Sequence, residues 1–441
     1  MPSRNVARAR LLLRKELSEL ALSPAMVLLL VLVGAMVGHE FITSVQTFAE
    51  MSGVAGGGAA LAQGMNPLDG VLVPTFGAYD IAATFLLPFV VIRLFSSERA
   101  TGAWTLLVQS PASMRTMLAV KALALAAAWM VALMPGIAAV ALWTSYGGHV
   151  HGAEFAVLLL GHLLRAAFTV GLAATAAAIT RQAASAAIVA LGVTVGSWAL
   201  DFVAATRGGA WASVAAFSPT AALRTFEQGL VQLSTVSVMI TCSIAGLVVA
   251  GVWLESGSTM GRRVRGTALA LLVFAVIAAA CARLHASWDV TEDRRHSFAP
   301  SDELALRSLP APLRIEVHLG AEDPRLSDLR SEILDRLKRV VPSLDVSFVG
   351  SAGTGLFASP DQHYGEIWYE IAGKRVMLKS AIEPVVLQTI YGLAGIRATP
   401  ASESESYGGY PLRSGAPMAW LVFFVVWPAI VLTVFWRVKR S

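Results

Sequence analysis

Apolar and polar positions alternate on a large scale along this chain. Long apolar runs, each near the roughly 20 residues that cross a bilayer as a helix, are separated by short polar connections. Eight such runs stand at 24–44, 72–95, 117–144, 155–180, 184–205, 231–254, 266–284 and 417–436. Ahead of the first, Arg4, Arg8, Arg10, Arg14 and Lys15 interleave with Val6, Leu13, Leu17 and Leu20. That spacing predicts a basic amphipathic helix over 1–22 lying on the membrane surface, not a cleavable signal peptide. Between the seventh and eighth runs the pattern changes. Leu313, Ile315, Val317 and Leu319 alternate with Arg314, Glu316 and His318, as in a half-buried strand. Leu329, Ile333 and Leu337 have helical spacing within 326–340, stopped by Pro342. A strand at 344–349, a hairpin of 365–371 and 375–378 around Ala372-Gly373, and a helix at 383–393 follow. The order β-α-β-β-β-α predicts a small α/β domain within 286–416, and Thr399 to Pro411 reads as a flexible tether.

Composition agrees. Of 441 residues, 56% are hydrophobic and 14% charged, and mean hydropathy is +0.64. Soluble domains carry about a quarter charged residues, and disordered chains more, so both classes are excluded. The expected fold class is an all-α polytopic membrane protein: six helices in a core (23–255), then two further transmembrane helices flanking a small α/β extracytoplasmic domain.

The net charge of +5 fits basic cytoplasmic loops, not nucleic-acid binding. With the N-terminus cytoplasmic, inner loops hold Arg93, Arg99, Arg115 and Lys121, then Arg181, then Arg262, Arg263 and Arg265, and the tail 437–441 adds Arg437, Lys439 and Arg440. The outer connections 45–71 and 145–154 hold no Lys or Arg, and 206–230 holds Arg207 and Arg224. An even count of eight keeps both termini inside and 286–416 outside. Trp143, Tyr146, Trp198, Trp253, Trp420 and Trp436 fall near span ends, as an interfacial aromatic belt does.

Candidate chemistry is sparse. Cys242 and Cys281 lie in apolar runs and read as packing residues. His296, His318 and His363 lack metal-ligand spacing. His149 and His151 form the best metal-like pair, yet two ligands fall short of the three or four a site needs, so no metal is expected. No GxxxxGK[ST], HExxH or GxSxG is present, so no ATP hydrolysis by a P-loop and no hydrolase chemistry is expected of this chain. Asp289, Glu292, Asp293, Arg294 and Arg295 read as a solvated surface or salt-bridge network. Pro88, Pro135 and Pro428 mark kinks within spans.

Two intramembrane charges stand out. At about 1.5 Å rise per residue, Asp80 in the second span and Arg165 in the fourth both sit roughly 12–16 Å below the outer surface. A lone charge at such depth costs about 2.5–3.5 kcal/mol or more, so the two are expected to pair. The pair either lines a path or locks two spans together; otherwise Arg165 snorkels to the interface.

The segment from Phe95 to Ser113 carries a resemblance. Glu98, Arg99, Gly102, Leu106, Leu107, Ser110, Pro111 and Ser113 stand in the order Glu-Arg-x-x-Gly-x-x-x-Leu-Leu-x-x-Ser-Pro-x-Ser, which resembles the cytoplasmic segment of type 2 ABC export permeases. Ala103-Trp104-Thr105 stands where that family has Thr-x-Glu. Arg14-Lys15-Glu16-Leu17 is similar to the family's opening helix, and 155–190 to its fourth-span region. Asp289-Val-Thr-Glu-Asp-Arg-Arg-His-Ser297 and the strand after Leu309 resemble the extracytoplasmic domain of the gliding-motility auxiliary ABC protein, here truncated.

The resemblance implies a permease subunit in the bacterial plasma (inner) membrane, with no cofactor of its own. A separate P-loop ATPase, carrying the ATP, would dock on 97–113 and the N-terminal helix. Two cores would be needed, as a homodimer or with a second permease, and residues 286–416 would meet an envelope partner. The competing expectation is a non-transporting scaffold of an envelope or motility complex.

Overall fold

A computed structural model describes residues 2–51, 66–104, 113–180, 182–207, 211, 214–215, 218–255, 257–284, 286–292, 294–320, 323, 325–326, 329–349, 363–396 and 416–440. Eight of its helices are long and apolar enough to cross a membrane, one for each apolar run. The chain is therefore a helical multi-pass membrane protein with a small sheet-containing unit.

The helices begin where the chain supplies caps. Helix α1 (Pro2–Ala21) is the amphipathic helix, and Pro24 opens α2 (Pro24–Met51). A π-turn at Leu68–Leu72 leads into α3 (Val73–Ala100), with a proline in its first turn. Ser113 caps α4 (Met114–Ser145), its Oγ accepting from Thr116 N–H at 3.2 Å. Helices α5 (Gly152–Ile179) and α6 (Ala183–Arg207) follow. Ser218, capping through Ala221 N–H at 3.0 Å, and Pro219 open a short helix α7 (Pro219–Glu227) that the apolar pattern does not announce. Helix α8 (Leu233–Leu254) completes the sixth span. Thr259 caps α9 (Met260–Cys281), so the seventh span starts earlier than expected. Arg262, Arg263 and Arg265 thus sit in its first turns instead of a loop. The last span is α13 (Ala416–Leu421), a π-turn and α14 (Trp427–Arg440).

The described residues form two compact units. One comprises Met1–Ala199, Phe217–Ala286 and Ser406–Ser441; the other comprises Leu200–Ala216 and Ser287–Glu405. In the first, Leu29, Val33, Val37, Phe41 and Phe48 give α2 one buried stripe. Its glycines admit bulky neighbours: a Cβ on Gly34 would collide with the Trp427 indole, and one on Gly38 with Phe423. Trp427 Nε1–H also donates to the Leu30 carbonyl at 2.8 Å, which fastens the eighth span to the first. Helices α5 and α8 approach backbone to backbone, since a Cβ at Gly171 would lie 2.7 Å from the Ser243 carbonyl oxygen. Helix α9 has no buried residue, consistent with a lipid-facing helix.

In the second unit, α10 (Pro300–Arg307) precedes β1 (Leu313–Val317), and α11 (Asp335–Val340) precedes β2 (Leu344–Phe348). Strands β3 (Ile367–Ile371) and β4 (Lys374–Leu378) form the expected hairpin, with Ala372 and Gly373 at φ 51° and 78°. Helix α12 (Glu383–Ala394) ends at Gly395, φ 70°. The sheet order is β2-β1-β3-β4, β1 parallel to β2 and antiparallel to β3. Leu313, Ile315, Val317, Tyr369 and Ile371 face Leu329, Ile333, Leu337, Val386 and Ile390 in one core. Apart from α10 and the three-residue strand Ser287–Asp289, neither of which was anticipated, this is the expected element order.

Candidate functional site

The first charge cluster forms where α1 meets the end of α3 and the start of α4. Lys121 is counted with an inner loop by its charge, but it lies inside α4 with its side chain 3% exposed. Its Nζ donates to Glu16 Oε1 and Oε2 at 3.1 and 3.0 Å and to the Leu94 carbonyl at 3.0 Å. It also lies 3.0 Å from Glu98 Oε2. Lys15 bonds the other Glu98 oxygen and pairs with Glu19 at 3.2 Å. Burial works against the Lys15 charge, but Glu98, Glu16 and Glu19 outweigh it and raise its pKa. Three helices are thus tied by alternating charges, each buried ion facing at least one opposite ion.

Glu98 and Arg99, which open the pattern in the Phe95–Ser113 segment, both turn inward. Glu98 is 3% exposed. Arg99 Nη1 donates to the carbonyls of Ala177, Ala178 and Thr180 at 2.7, 3.1 and 3.2 Å. A guanidinium there satisfies the orphan carbonyls at the C-terminus of α5 and complements its dipole. Thr101 N–H closes α3 on the Ser97 carbonyl at 3.0 Å, and Gly102 turns the chain at φ 74°. Trp104 packs against the main core. Leu106, Leu107, Ser110 and Pro111 lie outside the described residues.

The second cluster is the intramembrane pair. Arg165 Nε lies 3.6 Å from Asp80 Oδ1, and the side chains are 4% and 11% exposed. The guanidinium also donates to Thr84 Oγ1 and Thr220 Oγ1, each at 3.4 Å, so α3, α5 and α7 share one polar node. Ser197 Oγ extends it to α6 at 3.3 Å from Thr220. His162, one turn before Arg165, sits between the rings of Phe76 and Tyr79, with centroids at 5.5 and 5.6 Å. Arg165 therefore does not snorkel. Glu227, at the end of α7 and outside the spans, has a pKa pushed up to about 7, by burial first and by the Asp80 charge second, against Arg224 and Arg165.

Other anticipated residues have local roles. Trp143 Nε1–H donates to the His149 carbonyl at 2.8 Å, which organises the loop bearing His149 and His151. Among the described residues, the one group of three metal-capable donors is Glu16, Glu19 and Glu98, interleaved with the two lysines. His318 and His363, distant in sequence, come together with ring centroids at 5.7 Å, each bonded to a glutamate, Glu316 at 3.2 Å and Glu366 at 2.9 Å. Asp289 organises its own loop. Its carboxylate accepts from Thr291 N–H and Oγ1–H at 3.0 and 2.5 Å, from His296 N–H at 3.1 Å and from Ser297 Oγ–H at 2.8 Å. That gives the Asp-x-Thr motif an intrachain structural task.

Sequence reasoning missed Glu16 and Lys121 as a pair. The available signal was a lysine within an apolar helix, a costly placement that demands a counter-ion. Comparison with known proteins adds no relative: no protein-family model matches the chain, no curated protein matches it, and no solved structure matches it. The fold and the two buried charge clusters define the class, a multi-pass helical membrane protein with polar nodes between its spans.

Proposed function

We propose that this chain is the permease subunit of an ABC transporter of the export type, driven by a separate P-loop ATPase. In this reading both termini are cytoplasmic in a bacterial plasma membrane, 286–416 lies outside, and two cores pair as a homodimer or with a second permease. One observation carries most of the weight. Lys121 joins Glu16 of α1 to Glu98 of α3 beside the 97–113 segment. A push on that segment would be passed at once to three helices, because a buried ion cannot leave its partner cheaply. Arg99 extends the linkage to α5, which carries Arg165. Glu98 and Arg99 would then transmit the ATPase's movement rather than touch it, and Leu106 and Leu107 would supply the contact.

The test is co-purification from the native membrane with ATPase assay of what is recovered, comparing wild type with Leu106→Glu/Leu107→Glu. Recovery of a P-loop ATPase that the double variant loses supports the reading. If no ATPase is recovered and envelope proteins are held through 286–416 instead, the chain is a scaffold and the transport reading falls.

A further inference from the structure

A groove of about 300 Å³ runs between the end of α1 and the last turns of α3. Leu20, Val90 and Leu94 give its lining apolar surface. Lys15, Glu19, Ser23, Arg93 and Glu98 give its polar groups. We infer that this groove binds the headgroup and upper acyl chain of an ethanolamine phospholipid, with the phosphate on Arg93 and Ser23 and the ammonium on Glu19.

Three observations lead there. The first is place. The groove lies where an amphipathic surface helix meets a membrane span, with Leu11, Leu17 and Leu22 of the α1 region exposed at 70%, 38% and 38%. Apolar side chains so displayed belong against lipid. The second is charge. Glu16, Glu19 and Glu98 bring carboxylate oxygens within 4.8 Å of one another, and among the described residues Lys15 and Lys121 are the cations paired with them. Three carboxylates against two ammonium groups leave one negative charge, and Glu19 is the acid of the three that faces outward, at 39% exposure. Arg93 supplies the opposite charge on the same groove and is exposed on a span. A guanidinium at that level reaches for phosphate. A groove that offers both an outward-facing acid and a guanidinium matches a zwitterion with N–H donors, better than an anionic headgroup or a methylated ammonium. The third is an unpartnered donor. Ser23 is 2% exposed, lines the groove, and its Oγ has no hydrogen-bond partner. A buried hydroxyl left alone costs about 1–3 kcal/mol, and a phosphate oxygen would satisfy it.

This inference rests on the spans and the interfacial helix, not on the transport reading, and its test involves no ATPase. The full chain is purified in detergent and equilibrated with an equimolar mixture of phosphatidylethanolamine, phosphatidylcholine and phosphatidylglycerol, and retained lipid is counted by native mass spectrometry. Phosphatidylethanolamine should be retained preferentially. Glu19→Gln should cut its advantage over phosphatidylglycerol about two- to fivefold, the range of a partly exposed ion pair. Arg93→Gln should lower retention of all three, since the phosphate is common to them, while Arg263→Gln, outside the groove, should change nothing. An unchanged lipid order in Glu19→Gln, or phosphatidylglycerol ahead in the wild type, overturns the assignment. If a variant does not purify, the wild type decides through its thermal shift. Equal stabilisation by ethanolamine and choline lipids overturns the assignment, and a larger shift with ethanolamine lipid upholds it.

Discussion

Lys121 and Glu98 meet at 3.0 Å with both side chains 3% exposed, so neither charge can be left alone without cost. Lys121→Met leaves Glu98 with Lys15 alone and strips Glu16 of its closest counter-ion. Breaking a buried pair by removing one partner costs about 3–5 kcal/mol. Thermal unfolding in detergent should show a marked drop for Lys121→Met. The double variant Lys121→Met/Glu98→Gln should recover part of it, because the orphaned carboxylate is gone. Equal stability of Lys121→Met and wild type would show that the network is not structural.

Asp80 and Arg165 lend themselves to a double-mutant cycle. Asp80→Asn leaves the guanidinium with two threonine hydroxyls, each at a long 3.4 Å. Arg165→Gln leaves the carboxylate without its cation. Each single variant should be destabilised by about 2–4 kcal/mol, and the double variant by less than the sum. Additive losses would mean that the 3.6 Å contact contributes no coupling.

How far such residues were legible follows from the range of the physics involved. The spans were legible because crossing a bilayer demands some twenty apolar residues in succession, a local pattern. Asp80 and Arg165 were legible because a charge at membrane depth must find a partner. Glu16 and Lys121 were not, since their contact joins residues 105 apart and no local pattern announces it. The strands of the second unit alternate visibly, yet the meeting of His318 and His363 depends on Gly365 N–H bonding the His318 carbonyl at 2.7 Å, a tertiary event. Helices α7 and α10 are short and carry no long apolar stripe. The motif places Glu98 in the 97–113 segment but does not show that its side chain is buried against Lys121.

Gly171 and Gly246 set the distance between α5 and α8. A Cβ on Gly246 would stand 2.6 Å from the Gly171 carbonyl carbon and oxygen, both backbone atoms that cannot swing aside. Thr175 Oγ1–H donates to the Gly246 carbonyl at 2.7 Å across the same crossing. Gly246→Ala should force the helices apart and cost about 1–3 kcal/mol, as overpacking does. Gly192→Ala, where nothing lies within 4 Å, should be tolerated and serves as the control. Comparable unfolding temperatures for the two variants would refute the close crossing.

Asp289 holds four hydrogen bonds within its loop, and Asp289→Ala removes all of them. At about 1 kcal/mol each, discounted for partial exposure, the expected loss is about 2–3 kcal/mol, confined to the segment around 289–298. Burial works against the ionised carboxyl, but the bonds from Thr291 and Ser297 outweigh it and hold its pKa below the usual 3.8. Its contribution is therefore present above that value and lost as pH falls through the folded-state pKa. Hydrogen exchange on the full chain at pH 7 should show faster exchange at Thr291 and His296 in Asp289→Ala and no change at β3.

Glu227 makes stability depend on pH in the opposite sense. Its folded pKa, about 7, stands above the ordinary 4.5, chiefly through burial and then through the Asp80 charge, despite Arg224 and Arg165. Between those two values the folded chain binds a proton that the unfolded chain has released. Stability from this group is therefore full below about pH 4.5 and declines as pH rises through 7. The charged groups that face it are Asp80, Arg165 and Arg224. Glu227→Gln should remove the decline, an effect on the order of 2 kcal/mol across that window. Asp80→Asn should shrink it without abolishing it, because burial remains. Unfolding temperatures from pH 5 to 8 decide the matter: parallel curves for wild type and Glu227→Gln would mean that this carboxyl does not titrate there.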